Sequence, residues 1–457
     1  MDMRLSEIAA CVDGTLLGKD QTINSISIDT RTIKPEQLYV AIKGRQFDGN
    51  DFVGDAERAG AVAALVNHGV NSNIPVIQVA DTRLALAQLA ARWRQTAPIR
   101  MVGITGSNGK TTVKEMTAAI LAAAAGDTDK VLFTQGNLNN DIGVPLTLLR
   151  LQDVHKFAVI EMGANHPGEI AYTSKIAQAD VAILNNAGPA HLEGFGSVEG
   201  VAKAKGEIIT SLADNGIAIL NRDDPFFAFW SELAKPRRVV SFGFNTLADV
   251  SAKNLAMSIR DGQFITTFDL VTQAGVVSCC LQLAGRHNVL NALAAIAAAL
   301  ALDIDINVIV QGLASVKPVI GRLQLLQGRL GSIVIDDTYN ANAASLKVGL
   351  DVLASCNKES WLALGAFGEL GEGSEQIHFE LGQMIKASGV TKLYATGNNA
   401  KHTVTAFGVG AQYFEQQQQL ITALSQELRG HEAILVKGSR SQRMENVAAA
   451  LVENFRK

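Results

Sequence analysis

VGITGSNGKTTVKEM (residues 102–116) joins two kinds of residue pattern. The run Ile99–Ile104 at its start is largely apolar. Past the glycines, Val113, Met116, Ile120 and Leu121 recur at the i, i+3, i+7, i+8 spacing of one helical face, with Thr117 at i+4. The glycines and Lys110 therefore fall in a strand-to-helix turn, where unpaired amide N–H groups and the positive end of the helix dipole coincide. Such a turn holds phosphate. Gly106 and Gly109 let the backbone wrap an anion, Lys110 can reach terminal phosphate oxygens, and the Thr111 hydroxyl can coordinate Mg²⁺. The strict Gly-x4-Gly-Lys-[Ser/Thr] spacing asks for glycine at 104, where Ile104 stands, with Gly103 one residue early. The competing reading is an ordinary strand-turn-helix corner with a surface lysine, and the flanking patterns favour the phosphate loop.

At 457 residues the chain exceeds what one hydrophobic core usually serves, so two or three domains are expected. Hydrophobic residues make up 47% and charged residues 18%, a globular balance with enough core material. Lysine and arginine number 40 against 44 acids, so no basic field exists to hold a nucleic acid, and the few aromatics argue against base stacking along a strand. The N-terminal MDMRLSEIAACVDG lacks a secretory pattern, and no uninterrupted apolar run approaches ~18 residues, so no membrane insertion is expected. Cys11, Cys279, Cys280 and Cys356 show neither CxxC spacing nor a disulfide framework, which suits a reducing cytoplasm.

In chain order, residues 1–82 read as a small α/β unit. A helix is expected near Arg4–Val12, strands at Ser25–Asp29 and Gln37–Ile42, an Ala-rich helix near Asp55–Asn67, and a strand at Pro75–Ala80. Arg31, Lys43 and Arg45 could meet an anionic ligand there, or be solvated surface charges. A helix from Arg83 leads into the phosphate loop, and GNLNNDIGVPLTLL (136–149) reads as a loop entering a short helix. The strand Phe157–Gly163 carries Glu161, a charge that is costly there unless paired or metal-bound. The strand Asp180–Asn185 ends in NNAGPAHLEGFGS, so Gly106, Glu161 and His191 can share one rim of an open sheet. A helix spans Val198–Leu212, an alternating pattern from Arg237 to Leu283 suggests a small antiparallel extension, and GRHNVLNALAAIAAAL (285–300) is a helix. On it Asn288 and Asn291 share a face, where they could read a nucleoside or cap the helix. After a break at Pro318, strands at Ser332–Thr338, Trp361–Ala366, Lys392–Thr396 and Ala433–Lys437 alternate with helices.

TGSNGKTT (105–112), the Glu161 strand, NAGPAHLEGFGS (186–197), AKGE (204–207), GRHNVLNA (285–292), GR (321–322), DDTYNANAAS (336–345) and KGSR (437–440) together resemble the Mur ligases in order and spacing. These are ATP-dependent amide-forming enzymes of peptidoglycan precursor synthesis. GNLNNDIGVPLTLL and DDTYNANAAS resemble the branch that adds D-alanyl-D-alanine, and the Asp-Asn-Pro-Arg string of the diaminopimelate-adding branch is absent. Ala343 and Ala366 depart from that branch's usual proline and aspartate.

The resemblance implies an α/β protein of three domains: a small N-terminal domain (1–82) for the UDP end of a substrate, a central P-loop ATPase-like domain with a mainly parallel sheet (83–316), and a Rossmann-like C-terminal domain (317–457). It implies ATP and Mg²⁺ as cofactors, a UDP-N-acetylmuramoyl tripeptide and D-alanyl-D-alanine as substrates, and a monomer. Gly106, Ser107, Asn108, Gly109, Lys110, Thr111 and Thr112 would hold ATP, with Asn288 and Asn291 near its nucleoside. Thr111, Glu161 and His191 would hold metal. Lys205 matches a lysine that can be carbamylated in relatives, and Arg322 and Asp337 would complete the ATP site across a domain gap. Arg31, Lys43 and Gly44 would line the UDP site, with Tyr339, Asn340 and Asn342 near the reacting groups. A GTPase-type switch is the rival, but it wants Asn-Lys-x-Asp, whereas Asn357-Lys358 runs on into Glu359 and Ser360, and its Asp-x-x-Gly should follow the loop, whereas DFVG (51–54) precedes it.

Overall fold

The computed structural model describes residues 2–44, 46–189, 192–368, 370 and 373–453. Three lobes each carry their own sheet. In the first, parallel strands Ser25–Ser27, Gln37–Val40, Ala63–Val66 and Val76–Gln78 lie in sequence order, with Thr15–Leu17 antiparallel at the far edge. The central sheet has nine strands. Val131–Phe133, Phe157–Glu161, Arg100–Thr105, Val181–Leu184, Ile217–Asn221 and Arg238–Gly243 run parallel in that spatial order. Val250–Arg260 continues the parallel set, and Gln263–Thr272 and Gly275–Leu281 fold back antiparallel. The third sheet orders Gln324–Gln327, Ile333–Asp337, Glu432–Lys437, Glu359–Gly365, Lys392–Thr396 and Ala411–Phe414, all parallel except the first.

The central strands are near-continuous apolar runs because helices cover both faces of the sheet. One face takes Lys110–Ala125, Gly285–Ala301 and Ile306–Ala314. Gly312 packs so closely on Ile120 that an added Cβ would sit 2.6 Å from its Cα, which fixes the spacing of two of these helices. The Ala-rich run after Asn291 is, as its composition predicts, a buried helix interior, with Ala292 through Ala299 excluded from solvent. The other face is built by Thr82–Thr96, Glu169–Ala177 and Val198–Thr210, and its core runs on through Leu86 and Leu89 to Leu5 and Ile8 of the first lobe.

Three expectations need correction. The single helix near Asp55–Asn67 is instead a short helix, Val53–Ala59, followed by the strand Ala63–Val66. Gly60 stops the helix in a left-handed conformation (φ 110°), its N–H turned back to the Ala56 and Glu57 carbonyls. The alanines after it are strand because both of their faces are buried. Arg238–Gly243 belongs to the parallel set, so the antiparallel extension begins only at Gln263. Two edge strands of the third sheet, Gln324–Gln327 and Ala411–Phe414, also went unanticipated. All four cysteines are free, and among the described residues no helix is long and apolar enough to cross a membrane.

Candidate active site

The strand Arg100–Thr105 passes into the helix Lys110–Ala125 through Gly106–Gly109. Gly109 caps the helix at φ 81°, and a side chain there would collide with the amides of Asn291 and Asn185. Ile104 is a fully buried strand residue paired with Glu161 and Ile183, so the loop's first glycine is Gly106 and the turn is shorter than the strict pattern. The segment after Val181–Leu184 fixes the loop's shape. Asn186 accepts from the Ser107 N–H at 3.0 Å through its backbone carbonyl and from the Asn108 N–H at 2.9 Å through Oδ1. Asn185 Nδ2 donates to the Asn108 carbonyl and to Asn291 Oδ1, each at 3.0 Å.

Glu161 ends the neighbouring strand and is 2% exposed. Asn139 Nδ2 donates to its Oε1 at 2.8 Å, while among the described residues Oε2 is buried without any hydrogen-bond partner. A carboxylate oxygen left this way is costly unless a cation faces it, so the arrangement suits a hard divalent ion. Lys110 Nζ donates to the Gly106 carbonyl at 2.8 Å. Its enclosure pulls the ammonium below the ordinary lysine value, opposed by the Glu161 carboxylate and reinforced by Arg322. Lys205, buried on the helix Val198–Thr210, drops to about 7, through desolvation first and Lys110 second.

The third lobe closes the cleft. Arg322 Nη2 donates to the Thr111 hydroxyl at 3.1 Å, and its guanidinium lies 4.4 Å from the Tyr339 ring centre. Asn342 Nδ2 donates to Asn108 Oδ1 at 2.9 Å while its Oδ1 caps the helix Ala343–Ala354 by accepting from the Ser345 N–H. Asp337 is ion-paired with buried Lys437, whose ammonium also donates to the Asn340 carbonyl at 3.1 Å. Ser107, Asn108, Gly109, Lys110, Thr111, Glu161, Lys205, Arg322, Asp337, Tyr339, Asn340 and Asn342 line one cavity of about 360 Å³. A second, of about 240 Å³, shares Asn108, Gly109, Arg322 and Asp337 and adds Thr112, Asn288 and Asn291. There Asn288 Nδ2 donates to the Ala284 carbonyl at 2.8 Å, and Asn291 Nδ2 to Asn288 Oδ1 at 3.3 Å.

The structure thus assembles residues from positions 107 to 437 around one cleft, while Gly106 lines neither cavity. Arg31, Lys43 and Gly44 line neither cavity, and Arg31 is bound to Asp29 through both Nε and Nη2. His191 and Arg45 lie outside the described residues. Among the described residues no group of three or more His, Cys, Asp or Glu gathers as a metal set. Sequence reasoning singled out the strings that hold Asn139, Asn185, Asn186, Lys437 and His287 but gave these five residues no role. Their shared signal is a position at or beyond a strand's carboxyl end, or at a helix start. Enclosure holds His287, which lines the smaller cavity, at about 4, with Asp337 opposing and Lys437 reinforcing the shift.

A phosphate loop faced by an arginine and a carboxylate from another lobe describes a nucleotide-dependent enzyme whose site is split between domains. The chain belongs to the Mur ligase family: it matches the Mur ligase middle domain over residues 104–299, the Mur ligase glutamate ligase domain over 321–440, and the Mur ligase family catalytic domain over 22–94. It is 44% identical to the UDP-N-acetylmuramoyl-tripeptide–D-alanyl-D-alanine ligase of Escherichia coli (strain K12), over 99% of each chain. A crystal structure of MurF from Acinetobacter baumannii superposes with a TM-score of 0.93 at 36% identity, covering 99% of both chains. The MurF ligase of Thermotoga maritima in complex with ADP gives 0.82 at 29% identity, covering 93% of this chain and 96% of that one.

Proposed function

We propose that this protein joins D-alanyl-D-alanine to a UDP-N-acetylmuramoyl tripeptide at the expense of ATP, releasing ADP and phosphate. Full-length likeness to ligases of that name supports the substrate pair. The observation that carries the chemistry is the meeting of Lys110 and Thr111 with Arg322 and Asp337 in one cleft. In this reading the lobes divide at 1–82, 83–316 and 317–457, and the protein acts in the cytoplasm as a monomer.

A carboxylate resists attack by an amine because its leaving group is poor. Transfer of the γ-phosphoryl to the tripeptide carboxylate gives an acyl phosphate, which the neutral amine of the dipeptide attacks, expelling phosphate and losing its proton. Little covalent work falls to the protein, which positions three substrates and neutralises charge on the phosphoryl oxygens. Ser107 through Thr112 bind the phosphates, Asn288 and Asn291 face the nucleoside, and Arg322 supplies positive charge from across the gap. Thr111 and Glu161, with His191 expected beside them, would hold Mg²⁺, which supplies charge neutralisation on the phosphates. Lys205, neutral in part near pH 7, can take up CO₂ to become a carbamate on the same rim. Tyr339, Asn340 and Asn342 face the reacting groups, and closure of the third lobe excludes water that would hydrolyse the acyl phosphate.

The test incubates purified protein with ATP, Mg²⁺ and UDP-muramoyl tripeptide, with and without D-alanyl-D-alanine, following phosphate and product mass. Dipeptide-dependent phosphate release with a product heavier by the dipeptide less one water is expected. Absence of that product overturns the reading.

A further inference from the structure

The third sheet gathers its polar groups on one rim. Ile333–Asp337, Glu432–Lys437, Glu359–Gly365 and Lys392–Thr396 are parallel neighbours in that order, so their carboxyl ends stand side by side, the edge at which open α/β sheets bind ligands. Asp337 and Lys437 end the first two and line the cavity of about 360 Å³. Contacts to the phosphate loop come from Arg322 and Asn342, on the segments that adjoin the Asp337 strand. Gly365 ends the third of the four, on the far side of Lys437 from those contacts.

The chain leaving Gly365 is pinned by its backbone. Ala366 N–H donates to the Thr396 carbonyl at 2.9 Å, the Ala366 carbonyl accepts from the Ser439 hydroxyl at 2.8 Å, and Phe367 N–H donates to Nε2 of His378 at 3.1 Å. His378 lies on the helix Ser374–Ala387 and is wholly excluded from solvent. Its Nδ1 is 2.7 Å from the Ser374 carbonyl, which can only accept, so the proton sits on Nδ1 and Nε2 presents a bare lone pair. Burial lowers the imidazole's pKa, opposed by the Ser374 carbonyl and reinforced by His402, which keeps the ring in that neutral form. A single N–H needs only one acceptor, but an enclosed ring with both nitrogens engaged also fixes where that N–H stands. The hold passes to the cleft through Ser439, two residues after Lys437. Gly438 between them lies so near the pinned strand end that an added Cβ would sit 3.0 Å from Gly365 Cα, so the two backbones meet with no side chain between them.

We propose that His378 is a positioning residue for the incoming dipeptide: by fixing the Phe367 N–H it sets Ala366–Gly368 and the neighbouring Gly438–Ser439, the rim against which the dipeptide amine is presented to the acyl phosphate. This rests on the ligase reading of the same cleft. ATP is taken by the phosphate loop and the tripeptide is tethered to a nucleotide, so the small free substrate is the one whose place depends on the third lobe's rim.

Steady-state kinetics of wild type, His378→Leu, His378→Gln and Ser439→Ala test this. Leucine removes the acceptor, the glutamine amide oxygen can take the place of Nε2, and Ser439→Ala releases the other hold on Ala366 while leaving the imidazole in place. His378→Leu is expected to raise KM for D-alanyl-D-alanine about tenfold, with KM for ATP and for the UDP-muramoyl tripeptide changed less than about twofold. His378→Gln recovers most of the loss. Ser439→Ala raises the same KM about threefold. An unchanged dipeptide KM in His378→Leu, equal rises for all three substrates, or no recovery in His378→Gln overturns the positioning role while leaving the ligase reading intact. Should circular dichroism show His378→Leu unfolded, Ser439→Ala decides, and an unchanged dipeptide KM there overturns the role. A wild type that ligates no dipeptide overturns both.

Discussion

Arg322 reaches from the third lobe to the phosphate loop and donates from Nη2 to the Thr111 hydroxyl at 3.1 Å, although the two residues lie 211 positions apart. With Asn342 on Asn108, it makes the cleft beside Lys110 a joint product of two lobes. Arg322→Ala is therefore expected to lower turnover about 100-fold while ADP affinity changes less than about threefold, since the contact completes the site only when the lobes meet. Steady-state kinetics beside calorimetry with ADP checks this, and equal losses in both would place Arg322 in simple nucleotide binding.

Lys110 sits where terminal phosphate oxygens would gather, with Glu161 as its countercharge. Lys110→Ala should cut ligation about 10²- to 10³-fold with an unchanged circular dichroism spectrum. Turnover at the wild-type rate would remove the loop from the chemistry.

Glu161→Gln keeps the shape of the side chain and its contact with Asn139 but removes the charge that Oε2, unpartnered among the described residues, offers a cation. The Mg²⁺ concentration for half-maximal activity should rise about 10- to 100-fold. A Mg²⁺ titration that superposes on the wild type would exclude Glu161 as a ligand.

The Lys205 ammonium falls from the ordinary 10.5 to about 7 because burial disfavours its charge. Between those values the unfolded chain holds a proton that the folded chain lacks, so the stability contributed here rises with pH from about 7 upward and is lowest below 7. Lys205→Met should raise Tm by several degrees at pH 6.5, in buffer free of bicarbonate, and the gain should shrink by pH 9.5. Ligation is lost at both. A Tm difference independent of pH would show that the lysine is not held neutral.

Asp224 acts on the phosphate loop at one remove. It is 8% exposed and accepts from the Ala187 and Phe226 N–H groups at 2.9 Å, while Asn221 Nδ2 donates to the Asn185 carbonyl at 2.9 Å. These contacts hold the segment that clasps Ser107 and Asn108. Asp224→Asn, which keeps one acceptor and loses the other, is expected to raise KM for ATP about tenfold and leave KM for D-alanyl-D-alanine unchanged. A rise in both would mark general loosening.

Much is legible in the amino-acid order because the relevant signals are local. The apolar run, the glycines and the helical spacing around Lys110 are dictated within fifteen residues, and the strand ends that carry Glu161, Asn185 and Asp337 announce themselves as apolar runs stopped by polar groups. The helix expected over Asp55–Asn67 failed for a local reason of the other kind: alanine favours helix until burial on both faces decides for strand, and Gly60 alone marks the change. Similarly, Asn342 is expected near the reacting groups, and its amide is divided between capping a helix and bridging to Asn108.

Periodicity and glycine placement act over a few residues, so the three α/β lobes and the strand-turn-helix loop at Lys110 can be read along the chain. That Arg322 meets Thr111, that Glu161 keeps one oxygen unpartnered among the described residues, and that Lys205 is stripped of water follows only from folding in three dimensions. Those properties depend on groups far apart in the chain, and desolvation and electrostatic coupling exist only once distant segments have closed around them.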